Sequence, residues 1–141
     1  MSTPLKPQDI SVGQELPHFD MPLDATRIVA GAIASRDYMP VHHDRDYATS
    51  QGAPDIFMNI LTTNGYISRF VTDWAGPECQ VRNIVIRLGV PAIPGHTLKF
   101  RGQVKECRVE ASETMIELEI QAATELGDHA TGSVTLSLPN A

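Results

Sequence analysis

Three acid/base side chains, Asp37, His42 and His43, lie close together around one proline in the stretch 36–44, which reads Arg-Asp-Tyr-Met-Pro-Val-His-His-Asp. Asp37 and His42 are on opposite sides of Pro40, so a turn at the proline could bring both side chains into one small volume. A carboxylate and an imidazole that converge on one water molecule form a general acid/base site. Asp is also common in turns and helix caps, so a purely structural role is the alternative to catalysis.

The residues before this stretch predict a helix over residues 26–35, capped by Asp24 or Thr26. Pro40 prevents the helix from continuing, because the residue before a proline is pushed out of the helical region. Asp37 would therefore lie at or just past the helix C-terminus, where the helix dipole disfavours a carboxylate. Stability alone would favour Lys or Gly at this position, which indicates a functional reason for the aspartate.

Two further helices are predicted after the stretch. His43 and Asp44 would cap and orient a short helix over residues 44–51, which ends at Gly52. Apolar residues at helical spacing then predict a long helix from Ile56 to about Trp74, opened by Pro and Asp at positions 54 and 55. The long helix is apolar enough to be largely buried.

Alternation of apolar and polar residues predicts strands in the rest of the chain. The strands cover residues 14–23, 81–90, 96–109, 114–124 and 129–138. The first can only be a short edge strand, because Pro17 and Pro22 bar it from a central position. One buried helix followed by antiparallel strands joined by hairpins is an α+β pattern, in which the sheet can wrap around the helix.

The composition predicts one globular domain over residues 1–141, with 42% hydrophobic and 20% charged residues. A net charge of −6 argues against a nucleic-acid binder, which would carry a basic surface. The first seven residues lack the apolar core of a signal peptide, and no apolar run is long enough to span a bilayer. Cys79 and Cys107 make no metal-binding spacing and indicate free thiols in a reducing compartment, so a cytoplasmic location is expected.

The stretch Asp37-Tyr-Met-Pro-Val-His42 resembles the Asp-x-Asn-Pro-hydrophobic-His signature of the MaoC-like, or (R)-specific, enoyl-CoA hydratases. The likeness runs from about Ile28 to Leu138. The chain is more closely similar to the small subunits of actinobacterial steroid side-chain enoyl-CoA hydratases, in residues 55–61, 71–77, 87–91 and 126–129. This resemblance implies the hot-dog fold, a curved antiparallel sheet wrapped around one long helix.

The resemblance also implies an activity, the hydration of 2-enoyl-CoA thioesters to 3-hydroxyacyl-CoA or the reverse dehydration. Asp37 is expected to be the base and His42 the water-orienting acid, although the sequence leaves their order open. A backbone N–H at Asn59, where the family usually has Gly, would bind the thioester oxygen. Arg36 and Met39 stand where the family usually has Gly and Asn, which affects the expected pocket shape and oxyanion contact.

The same residues are compatible with three alternatives to a hydratase: a metal site, a thioesterase and a non-catalytic subunit. The run from His42 to Asp44 could suggest a metal site, but no second ligand cluster exists elsewhere, so neither a metal nor another cofactor is expected. A hot-dog thioesterase would need a carboxylate on the long helix, and only Asp55 and Asp73 bracket it. The third alternative is a non-catalytic hot-dog subunit that completes the acyl-CoA pocket of a partner.

The expected ligand is an acyl-CoA, and the expected assembly is a homodimer or a hetero-oligomer with a second MaoC-like subunit, because exposed sheet edges invite pairing. Basic residues that could meet the CoA phosphates are Arg82, Arg87, Lys99 and Arg101. The remaining histidines are predicted to be surface or strand residues, namely His18, His96 and His129.

Overall fold

The structure is a computed structural model that describes residues 4–140. Residues 1–3, which belong to the stretch that lacks the apolar core of a signal peptide, and Ala141 lie outside the described residues. The α-helices are α1 (Ala25–Ala34), α2 (Arg45–Ser50) and α3 (Ile60–Ala75), with short 3-10 turns at Pro7–Asp9 and Pro40–His42. The strands are β1 (Phe19–Pro22), β2 (Gln80–Leu88), β3 (Thr97–Val109), β4 (Glu113–Thr124) and β5 (Gly127–Pro139). Within residues 4–140, no helix is both long and apolar enough to cross a membrane.

The five strands form one antiparallel sheet in the order β1-β3-β4-β5-β2. The predicted edge strand is confirmed as β1, although it is only four residues long, and within the described residues it pairs with β3 alone. The other four strands lie where the alternation placed them, with ends shifted by two residues or fewer. β2 forms the second edge of the sheet, so its outer backbone groups have no neighbouring strand among residues 4–140.

The hydrophobic core lies between α3 and one face of the sheet. Ile116, Leu118 and Ile120 alternate along β4 and are fully or almost fully buried, as their spacing predicted. From the helix side, the ring of Phe70 packs on that of Phe100 with centroids 5.8 Å apart. The α+β prediction is therefore confirmed, and the arrangement of one long helix against a five-stranded antiparallel sheet is the hot-dog fold that the resemblance implied.

The predicted start of the long helix is wrong by four residues, because α3 begins at Ile60. The N–H of Phe57 donates instead to the carbonyl of Val41 at 3.3 Å. The N–H of Met58 donates to the carbonyl of Ala92 at 2.9 Å. These tertiary hydrogen bonds hold the segment outside the helix, and they connect the Pro40–His42 turn to the loop after β2.

Candidate active site

Asp37 lies just past the end of α1, as the sequence predicted. Ser35 is the C-cap of the helix, and the backbone of Arg36 has a φ of +56°, in the left-handed region. The N–H of Asp37 then donates to the carbonyl of Ala32 at 2.9 Å, which closes the helix end. Glycine adopts a left-handed backbone most readily, so a glycine at position 36, which the resemblance implies as usual, would fit this geometry with less strain than Arg36.

His42 lies at the end of the 3-10 turn that Pro40 opens, and its side chain is buried. Its Nδ1 is 2.7 Å from the carbonyl oxygen of Phe57. A carbonyl can only accept a hydrogen bond, so Nδ1 carries a proton and donates it. Nε2 is then the nitrogen that remains free for chemistry, and it lies 3.3 Å from Oδ2 of Asp37. The turn therefore brings the carboxylate and the imidazole together, as the spacing predicted.

Asn59 is the N-cap of α3 and is 1% exposed. Its Oδ1 accepts a hydrogen bond from the N–H of Thr62 at 3.3 Å. Its Nδ2 donates to Oγ of Ser35 at 2.9 Å and to Oδ2 of Asp37 at 3.1 Å. Its backbone N–H makes no hydrogen bond to any residue in the range 4–140. The sequence directed attention to that N–H only, and the bridging role of the side chain was missed.

The pKa of Asp37 is lowered from its ordinary value of 3.8. The hydrogen bond from the amide of Asn59 is the main cause, and partial burial opposes it. The N–H of Met39 and the nearby His42 lower the pKa further. Asp37 is therefore a carboxylate at neutral pH, in a position to accept a proton.

His129 is a site residue whose role the sequence did not reveal. It lies in β5, in agreement with the strand prediction, but it is buried at 3% exposure. Its Nδ1 donates to the carbonyl of Val90 at 2.7 Å, so its Nε2 accepts from the hydroxyl of Thr63 at 2.9 Å. These contacts tie the first turn of α3 to the loop after β2. The only sequence signal was its place in the stretch 126–129, which contributed to the family resemblance.

Protonation of His129 is expected to destabilise the fold. Burial lowers the pKa of His129 below 6.5, although the hydrogen bond to Val90 opposes the shift. The unfolded chain therefore binds a proton more readily than the folded one as the pH falls below about 6.5, and stability is lost in that range. We expect the free energy of unfolding to fall by up to about 1.4 kcal/mol per pH unit there.

Urea unfolding at a series of pH values measures this dependence. His129→Gln should weaken it below pH 6.5, whereas His43→Gln, a change at an exposed histidine, should leave it intact. Equal pH dependence in the wild type and in His129→Gln would contradict the assignment.

The side chains of Asp37, His42 and His129 line one groove of about 620 Å³. Residues 41–42 of the turn, 51–54, 57–60 and 88–91 complete the lining. Most of the remaining lining is apolar: Val41, Ala53, Pro54, Phe57, Met58, Ile60, Leu88, Val90 and Pro91. The groove thus places a carboxylate and an imidazole beside a surface suited to an acyl chain, and Asn59 is part of the same lining.

The family described as "MaoC like domain" matches residues 9–125. The chain belongs to the MaoC-like domain family. It is 44% identical over 127 residues to the 3-oxo-4,17-pregnadiene-20-carboxyl-CoA hydratase beta subunit of Mycobacterium tuberculosis, covering 90% of this chain and 95% of that protein.

Solved structures agree with this membership. A chain in the crystal structure of the ChsH1–ChsH2 complex from Mycobacterium tuberculosis is 44% identical, with a TM-score of 0.85 over 91% of this chain and 98% of that chain. The (R)-hydratase of A. caviae involved in PHA biosynthesis has a TM-score of 0.83 over 94% of this chain and 99% of that chain, at 19% identity. At 19% identity, the likeness to the A. caviae (R)-hydratase concerns the fold alone.

The two carboxylates considered for a thioesterase lie elsewhere in this MaoC-like chain. Asp55 precedes α3 and pairs with Arg45 at 2.7 Å. Asp73 lies near the far end of α3 and pairs with Arg69 at 3.4 Å. Neither lines the groove. In residues 4–140, no three His, Cys, Asp or Glu side chains are grouped closely enough to hold a metal ion.

The basic residues proposed for the CoA phosphates lie outside the groove lining of this MaoC-like chain. Arg82 pairs with Glu113 at 2.7 Å, and Arg101 pairs with Asp20. Arg87 and Lys99 are exposed on β2 and β3. Cys79 and Cys107 are free, as predicted. His18 lies at the surface, and His96 is 3.6 Å from Glu125.

Proposed function

We propose that this MaoC-like chain hydrates 2-enoyl-CoA thioesters to 3-hydroxyacyl-CoA, or catalyses the reverse dehydration. The observation that carries the proposal is the 3.3 Å approach of His42 Nε2 to Asp37 Oδ2 in an apolar groove. A water molecule held by these two groups would face the C2–C3 double bond of a bound enoyl thioester. The MaoC-like family membership supports the same reaction class.

In the proposed reaction, Asp37 accepts a proton from the water as its oxygen bonds to C3. The electron pair of the double bond moves toward the thioester oxygen, where the free N–H of Asn59 stabilises the charge. In this mechanism His42 enters the cycle protonated on both nitrogens. Its Nε2–H delivers a proton to C2, and the proton on Asp37 then passes to Nε2 to restore the pair. Only Nε2 can exchange protons in this way, since Nδ1–H is bonded to the carbonyl of Phe57.

The proposed substrate carries a bulky, steroid-like acyl chain. The support is the 44% identical relative, which is named as a hydratase subunit for a pregnadiene-carboxyl-CoA.

The backbone N–H of Asn59, just before α3, is the proposed donor to the thioester oxygen. Loss of such an oxyanion donor typically lowers the rate by a factor of about 10²–10³.

The decisive experiment measures hydration of crotonyl-CoA and of a bulky enoyl-CoA through loss of the conjugated thioester absorbance. It is run with the chain alone and with a second MaoC-like chain, in the presence of EDTA, because the proposed steps use no metal. We expect hydration in at least one assembly. Absence of hydration in every assembly would reject the proposal and leave a non-catalytic subunit, and activity that needs Zn²⁺ would reject the metal-free mechanism.

The chain is also proposed to work as an oligomer, with a second MaoC-like subunit as the natural partner. The relative's designation as a beta subunit and the ChsH1–ChsH2 complex support a hetero-oligomer. The β2 edge has unpaired backbone groups and exposes Val85 (56%) and Leu88 (43%), which favours pairing through this edge.

Expressed alone, the chain should therefore form a homodimer at micromolar concentration. Val85→Lys should shift the mass toward the monomer, because it places a charge on the pairing edge. Val109→Lys, a matched change at an exposed position on β3, should not. Light scattering that gives a monomeric mass for the wild type would contradict the homodimer.

A further inference from the structure

The side chain of Asn59 connects three parts of the site. Its amide nitrogen donates to Ser35 at the end of α1 and to Asp37 in the turn, while its oxygen caps α3. The orientation of this amide is unambiguous. The hydroxyl of Ser35 already donates to the carbonyl of Gly31 at 2.7 Å, so it can only accept from Asn59, and a carboxylate can also only accept.

The two oxygens of Asp37 have different partners. Oδ1 accepts the N–H of Met39 at 3.3 Å, within the turn itself. Oδ2 accepts the amide of Asn59 at 3.1 Å and faces Nε2 of His42 at 3.3 Å. The turn around them is open to solvent, with Tyr38 63% exposed. The amide of Asn59 is thus the buried group that holds Oδ2 on the side of the imidazole.

We propose that the side chain of Asn59 is a positioning residue, which holds the carboxylate of Asp37 so that Oδ2 faces Nε2 of His42. This role is additional to that of its backbone N–H, and it rests on the proposed hydratase function. The inference assigns Asn59 two separable contributions to one site, because a side-chain substitution leaves the backbone donor in place.

The charges around Asp37 make the role measurable through pH dependence. His42 faces Asp37 from the 3-10 turn, and the exposed Arg36 precedes it in the chain. The end of α1 presents Ser35 and the start of α3 presents Asn59, both uncharged, and His129 of β5 lines the same groove. Removing the amide removes the largest influence that lowers the pKa of Asp37, so the carboxylate should become protonated at a higher pH.

Asn59→Ser is the informative variant, because serine is also a good N-cap and the backbone N–H remains. We expect kcat to fall by roughly 10- to 100-fold, the factor carried by a lost hydrogen bond to a charged group, with KM little changed. The acid limb of the pH–rate profile should move to higher pH.

Asn59→Asp, which keeps the cap but places a second carboxylate beside Asp37, should move the acid limb further toward high pH. Asp24→Ser, an N-cap exchange at the distant start of α1, is the matched control and should change neither kcat nor the limb.

The outcomes separate this inference from the proposed function. If the wild type in its active assembly hydrates enoyl-CoA but Asn59→Ser keeps wild-type kcat and pH profile, the positioning role is rejected and the function stands. A fall in kcat without movement of the acid limb would indicate a merely structural role and would also reject the inference. If Asn59→Ser does not fold, the pH–rate profile of Asn59→Asp provides the test. An acid limb at the same pH as in the wild type would then reject the positioning role. An inactive wild type instead rejects the function itself.

Discussion

Asp37→Asn is expected to lower the rate of enoyl-CoA hydration at least about a hundredfold, because an amide cannot accept the proton of the attacking water. The substitution preserves the shape of the side chain. Its oxygen can still accept a hydrogen bond from Asn59 or Met39, which now donate to the carboxylate. The loss should therefore appear in kcat/KM, with little change in the free energy of unfolding.

Asp44→Asn provides the matched control, since it makes the same chemical change seven residues along the chain. Asp44 caps α2 through the N–H of Tyr47, and asparagine is an equally good N-cap. The control should retain both activity and stability. Near wild-type turnover in a folded Asp37→Asn protein would show that this carboxylate is not the base.

His42→Ala is expected to lower hydration by a similar factor, at least about a hundredfold, through loss of Nε2. This variant should also be destabilised, because the carbonyl of Phe57 loses the hydrogen bond from Nδ1. A buried polar group without a partner typically costs about 1–3 kcal/mol. Activity and stability should thus decline together.

His42→Asn separates the two effects. The asparagine amide can occupy the place of Nδ1–H and donate to Phe57, but it has no group at the position of Nε2. We expect the same loss of rate with a smaller loss of stability, measured by denaturant unfolding. His43→Asn, at the neighbouring exposed histidine, should change neither. Substantial activity in His42→Asn would remove Nε2 from the mechanism.

The features that the sequence determined by itself depend on near neighbours along the chain. Pro40 between Asp37 and His42 is enough to predict a turn that joins the pair, because proline restricts its own backbone and that of the preceding residue. Asp44 caps α2 in the same local way, through the N–H three residues ahead. The alternation along β4 predicted its buried face, since successive side chains of a strand point to opposite sides.

Only the tertiary structure decided which partners these residues meet. The start of α3 moved to Ile60 because Phe57 and Met58 bond to Val41 and Ala92, contacts that helical periodicity does not encode. The amide of Asn59 reaches Asp37 across 22 residues of sequence.

The contact of His129 could not be predicted from the sequence either, because its partner Thr63 is 66 residues away along the chain. Hydrogen bonds between segments this far apart form only where packing of the core brings the segments together. The sequence therefore determined which groups could do the chemistry. The folded chain decided how Asp37 is oriented and which nitrogen of His42 is free.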